Sequence, residues 1–318
     1  MAHVKEKRLP PRSFAERLDS MFRVDARRMF GTPLFWICLG IAFVVPILVL
    51  VMTSAFGGEG SAVYTNTWQI IGSESANPGA MMDMTDMMNI NLMYFMMAVF
   101  VCFFTAEDFR SGYAKNLFTV RARKTDYVAS KTIIGFIAGA LFLVAFFIGG
   151  VVGGSVAGLP FEFGAAGVSG LVMCMLAKIF LTAVFVAIFL LMSVIARQRS
   201  WMSICLSLFG GMLLFMMIPM MTPLDSGVLN VGLCLAGGVI FAAGIGTVSN
   251  TILKNSRRIL VFSNMSQPAG SSACFFILCS QGIFHMSVQW AKSPLSFSYS
   301  AGLRGRAYTG TAGIDSCD

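Results

Sequence analysis

Six long apolar runs, separated by short polar connections, constrain this chain more than any other feature of its sequence. They cover residues 33–56, 87–106, 132 to about 156, about 168–196, 200–221 and about 227–253. A helix needs about 20 apolar residues to cross the hydrocarbon core of a bilayer, and the runs meet that need. The second holds no charge and the fourth only Lys178. Pro46 falls inside the first, where it should kink a lipid-embedded helix rather than end it. The runs show no strict alternation of apolar and polar residues, which argues against a transmembrane barrel. The expectation is an all-α membrane protein with six transmembrane helices.

Lys and Arg set the orientation. Residues 1–32 hold eight, residues 107–131 hold six, and Arg197, Arg199, Lys254, Arg257 and Arg258 follow later runs. The alternate connections, 57–86, 157–167 and 222–226, hold none and carry only acidic charges. The positive-inside rule then places both ends of the membrane domain in the cytoplasm. Charged residues make up 12% of the chain, where a soluble domain carries about a quarter, so lipid is the expected solvent. The net charge of +8 is dispersed among these connections and gathers on no domain that could bind nucleic acid. The first run is too long for a signal peptide and starts after 32 mostly polar residues. The eight cysteines include no CxxC pair and read as small packing residues.

Residues 1–32 form a leader, 33–253 the membrane domain and 254–318 a cytoplasmic tail. Within the leader, Phe14, Leu18, Met21, Phe22 and Met29 share one face at helical spacing, with Arg17, Asp19, Arg23 and Arg27 mostly away from it. That pattern predicts an amphipathic helix lying on membrane lipids; the alternative is a solvated leader that only sets topology. Gly135, Gly139, Gly149, Gly150, Gly153 and Gly154 in the third run, and Gly232, Gly237, Gly238, Gly244 and Gly246 in the sixth, should let helices pack closely.

The connection 107–131 carries the densest information. Glu107 and Asp108 stand where the second run ends, and Phe109, Arg110, Gly112, Tyr113, Lys115 and Asn116 interleave aromatic and basic groups beyond them. Thr125 can cap the following helix, with Asp126 in its first turn. Such a segment can dock a partner through a few aromatic and charged anchors, or its basic residues can bind anionic headgroups.

The order of elements, with Glu107, Gly112, Lys115 and Asn116 in the form E-x4-G-x2-K-N followed by Tyr127, Ser130 and Lys131, resembles the membrane subunit of bacterial ABC type-2 exporters over residues 14–260. The resemblance implies a permease in the bacterial cytoplasmic membrane. It implies a coupling helix at 107–116 that contacts a separate ATPase, which binds ATP and Mg, and an amphipathic helix near that ATPase. It also implies pairing with a second permease subunit, identical or not, and a path between the two subunits lined by the second and fifth spans. This chain has no GxxxxGK[ST] phosphate loop, so ATP hydrolysis would fall to the partner.

Other constellations carry less. Gly167-Val168-Ser169-Gly170 matches a serine-protease motif, but His3 and His285 lie outside the spans, so no base serves the serine. No cluster of His, Cys and carboxylate has metal-ligand spacing, and no catalytic residue or bound cofactor is expected. Methionines crowd the outer halves of the second and fifth runs, among them Met93, Met97, Met212, Met216 and Met220. They suit an adaptable lining of a translocation path, while Met82, Met84 and Met87 could hold a soft metal; the plainer reading is gap-filling in a helix core. Lys178, about ten residues inside the fourth run, is either part of the path or snorkels to the outer interface, the reading favoured here. Residues 261–318 show no helical period, and their apolar run of about 12 residues is too short to span, so a poorly ordered appendage is expected beyond 260.

Overall fold

Ser13 opens the first helix with a reciprocal cap. Its hydroxyl accepts from the Glu16 amide, and the Glu16 carboxylate accepts from the Ser13 amide. Helix α1 runs Phe14–Gly31, and Pro33, suited to a first helical turn, begins α2 over Pro33–Phe56. A short 3-10 turn follows at Thr67–Ile70. Then come α3 (Leu92–Arg110), α4 (Tyr113–Thr119), α5 (Lys124–Ala157), α6 (Gly167–Ala196), α7 (Ser200–Phe215) and α8 (Val228–Asn255). The computed structural model describes residues 13–56, 64–72, 89–119, 123–163, 167–196, 200–215, 218, 222–224 and 226–255. Among these residues the only regular structure is helical.

Five helices, α2, α3, α5, α6 and α8, are long and apolar enough to cross a bilayer. The described part of α7 has 16 residues, about 24 Å at the helical rise. The rest of the fifth run, apart from Ile218, lies outside the described residues, as does the tail from residue 256.

Two helices outrun their apolar runs. Helix α3 continues past Ala106 to Arg110, and α5 starts at Lys124 instead of Thr132. Charges usually end a span because lipid cannot solvate them. Here Asp108, Asp126 and Lys131 are paired with charges on other helices, so the helical backbone continues through them. Thr125 does not cap α5: the N-cap is Arg123, without a side-chain hydrogen bond, and the Thr125 hydroxyl instead accepts from Asn250 Nδ2 at 3.0 Å.

Helix α5 packs against α1, α2, α3, α6 and α8. Phe35 of α2, Phe100 of α3 and Phe142 of α5 meet with centroids 5.7–5.9 Å apart, tying three helices at the core. Gly149 and Gly153 of α5 face the turn of α2 at Pro46: a Cβ on Gly153 would stand 2.8 Å from Ile47 Cα, and one on Gly149 would strike the Phe43 carbonyl. The sixth run departs from expectation. A Cβ on Gly232, Gly237 or Gly244 would meet nothing within 4 Å, and only Gly238 approaches a neighbour closely, at 2.9 Å from the Phe180 carbonyl oxygen. The outward faces of α2, α6 and α8 carry Trp36, Ile37, Val172, Leu233 and Ile240, the inverse of a water-facing surface.

Candidate functional site

Asp25 stands on α1 one turn after Met21 and one turn before Met29, and all three are buried. A carboxylate on that stripe needs a cation, and Lys131 of α5 supplies one at 3.0 Å. The Ser130 hydroxyl donates to the other oxygen of Asp25 at 2.7 Å. Lys131 also reaches Asp108, near the carboxyl end of α3, at 2.6 Å. Arg28, one turn beyond Asp25, lies 2.7 Å from the same Asp108, and the Tyr127 hydroxyl donates to it at 3.1 Å. Two acids and two bases thus form a cluster of balanced formal charge that joins α1, α3 and α5, with Asp25, Asp108 and Lys131 buried and Arg28 partly exposed. A buried pair of this kind is stable only if its remaining lone pairs and protons are also met, and Ser130 and Tyr127 contribute to that here. One helical turn further out, Arg17 holds Asp126 at 3.0 Å.

Aromatic rings close the cluster. Lys131 Nζ lies 4.0 Å from the Phe104 centroid, and the Arg28 guanidinium lies 4.2 Å from that of Tyr113. Burial opposes the Arg28 charge, but Asp108 and then Asp25 outweigh it and hold the guanidinium above its ordinary range. Burial raises the Tyr113 hydroxyl, Asp25 adds to that, and Arg28 pulls the other way. Between α3 and α4, Gly112 adopts φ 73°, a left-handed turn that glycine takes without strain. That turn swings α4 back so that Phe118 meets the Tyr127 ring at 5.5 Å.

The residues expected to form one loop therefore separate into two sets. Asp108 is sealed in the cluster, and Phe109 and Tyr113 are half-buried against Tyr127 and Arg28. Glu107, Arg110 and Asn116 are exposed on the surface of the same corner. Lys115 lies on α4, and its side chain is outside the described residues. The expected apolar face of α1 also changes: Phe14 is half exposed, Leu18 and Phe22 are half-buried, and Met21, Asp25 and Met29 are the residues shut in. Sequence reading passed over Asp25 and Arg28. The available signal was an acid at i+4 from Met21 and i−4 from Met29, inside the apolar stripe of a helix.

Toward the opposite end of the bundle, Lys178 does not snorkel. It is 1% exposed, and its ammonium donates to Asn91 Oδ1 and Thr222 Oγ1, each at 2.9 Å. Its stem cannot reach an interface because Asn91 of the α3 N-cap and Thr222, beyond α7, hold the amine inside. The Tyr94 hydroxyl donates to the Lys178 carbonyl at 2.8 Å. Met93 and Met97 are buried in the bundle core, the latter where Gly139 leaves room for its sulfur. The side chain of Met212 and the whole of Met216 and Met220 lie outside the described residues, as do Met82, Met84 and Met87.

A family model described as ABC-2 family transporter protein matches residues 32–214, more than half of the chain. No curated protein and no solved structure matches it.

Proposed function

The chain belongs to the ABC-2 family of transporter proteins, and from that premise we propose that it is the permease subunit of an ATP-driven exporter, working with a separate ATPase. It is a multi-pass membrane protein, with five helices long and apolar enough to span. In the proposed arrangement the chain sits in a bacterial cytoplasmic membrane with six spans and both ends of the membrane domain inside. It pairs with a second permease subunit, and the ATPase holds ATP and Mg. No bond is made or broken on this chain.

The observation that carries the reading is the corner of α3, α4 and α5. Glu107, Arg110 and Asn116 are exposed there, while the neighbouring Asp108 is buried and ion-paired to Arg28 of α1 and Lys131 of α5. An exposed surface tied by buried ion pairs to α1 and α5 can transmit a push into the bundle. Closure of the ATPase would press this corner and shift the bundle between inward- and outward-open states. The test is copurification with candidate ATPase subunits from the native cell, comparing wild type with Glu107→Arg/Lys115→Glu. The reading expects an ATPase in the first preparation and its release in the second. A well-folded wild type that brings down no ATPase refutes it.

A further inference from the structure

Met21, Asp25 and Met29 dock α1 against the bundle, so the opposite face of that helix is left outward. Arg23, Val24, Arg27 and Phe30 share that face at helical spacing, and all four are exposed. Of the arginines on α1, Arg17 pairs with Asp126, Arg28 with Asp108 and Arg23 with Asp19. Arg27 pairs with no acid among the described residues. The Arg23–Asp19 pair is itself exposed, and such pairs contribute little.

Trp36 fixes the level of this face. Ile37, Ile41, Val44, Leu48 and Met52 run exposed along one side of α2, a stripe that suits lipid. Trp36 stands exposed at its start, where aromatic side chains settle at headgroup level. Its indole donates to the Phe30 carbonyl at 2.9 Å. The end of α1 is thereby tied to the point where the stripe begins. From there α1 slopes away beside α5, with Asp25 at Lys131 and Arg17 at Asp126. That descent amounts to about 7.5 Å along α5 at the helical rise, about the depth of a headgroup layer.

We propose that the outward face of α1 is a binding site for anionic phospholipid, with Arg27 on the phosphate and Arg23 beside it. Val24, Phe30 and Trp36 lie against the acyl-chain ends. A guanidinium offers a planar fork of donors that matches phosphate oxygens. The exposed apolar side chains of this face continue the stripe of α2 through Trp36, which favours a lipid over a soluble protein as the occupant. Arg28, next in sequence to Arg27, holds Asp108, so a lipid on this face braces the helix that the ionic cluster fastens. The site needs only that the chain spans a bilayer, and it stands or falls apart from the permease reading.

The full chain, stripped of lipid in detergent, is titrated with phosphatidylglycerol and separately with phosphatidylcholine, and bound lipid is counted by native mass spectrometry. Wild type should retain phosphatidylglycerol in preference to phosphatidylcholine. Arg27→Gln should weaken phosphatidylglycerol binding about fivefold, the effect of one cation at an anionic surface, and leave phosphatidylcholine unchanged. Val24→Asp sets an acid beside the phosphate and should weaken it at least as much. Arg123→Gln removes an exposed cation elsewhere and should change little. These substitutions are on exposed side chains, and thermal melts without lipid check that each variant folds. Added phosphatidylglycerol should then raise the melting temperature of wild type more than that of Arg27→Gln. Equal retention of the two lipids by wild type, or an equal loss in Arg123→Gln, overturns the site. A second measurement places the face itself. Val24→Cys, in a chain otherwise free of cysteine, should react more slowly with a water-soluble maleimide in phosphatidylglycerol nanodiscs than in phosphatidylcholine ones. Equal rates, or shielding only when an ATPase is bound, would give the face to water or to a protein partner and overturn the proposal.

Discussion

Lys131 Nζ lies 2.6 Å from Asp108 Oδ2, with the two side chains 1% and 0% exposed. The residues belong to different helices, and each also bonds a residue of α1, Lys131 to Asp25 and Asp108 to Arg28. This crossed pairing makes α1 part of the bundle, where an amphipathic helix alone would float on the lipid surface.

Removing one member of this cluster should cost more than removing two. Lys131→Met leaves Asp25 and Asp108 facing Arg28 alone, and breaking a buried pair costs about 3–5 kcal/mol. Asp108→Asn/Lys131→Met keeps Asp25 and Arg28, 3.8 Å apart, as a neutral pair. Thermal unfolding in detergent should show the double variant more stable than Lys131→Met. Additive losses would mean that the four charges do not act as a unit.

Asp25→Leu repairs the apolar stripe of α1 on paper and should loosen it in fact. The substitution strips Lys131 and Ser130 of a shared partner. Crosslinking of α1 to α5 by a bifunctional maleimide between Arg17→Cys and Asp126→Cys, in a chain otherwise free of cysteine, reports the docking, since Arg17 of α1 reaches Asp126 of α5 in wild type. The yield should fall in the Asp25→Leu background. An unchanged yield would show that the apolar contacts of Met21 and Met29 suffice.

Glycine substitutions should divide sharply by position. Gly153→Leu forces a side chain into the backbone of α2 at Ile47 and should destabilise by at least about 1–3 kcal/mol. Gly232→Ala meets open space and should stay within about 0.5 kcal/mol of wild type. Paired thermal melts decide this, and equal losses would contradict the close approach of α2 to α5.

Lys178→Met should destabilise the bundle, because Asn91 and Thr222 would be left facing a thioether. Each loses its hydrogen bond from a charged group, and such a bond contributes about 1.5–3 kcal/mol. A snorkelling lysine would tolerate the same change. An unaltered melting transition in Lys178→Met would therefore place the ammonium outside the core.

The sequence by itself determined the helical class, the membrane as solvent and the positions of the apolar runs, because run length and missing charge act locally along the chain. It also marked 107–116 as unusual and the glycines of α5 as a packing face. It could not assign which charges there are buried. Asp108 and Glu107 are adjacent and chemically alike, yet one is sealed and the other exposed. Only tertiary structure separates them, since burial of a carboxylate depends on cations, here Arg28 and Lys131, that arrive from distant parts of the chain. The same holds at the opposite end. A lysine ten residues inside an apolar run can snorkel or stay, and what keeps Lys178 inside is an asparagine 87 residues before it and a threonine 44 residues after it. Hydrophobic length is summed over neighbours in sequence, whereas the pairing of buried polar groups is decided among neighbours in space.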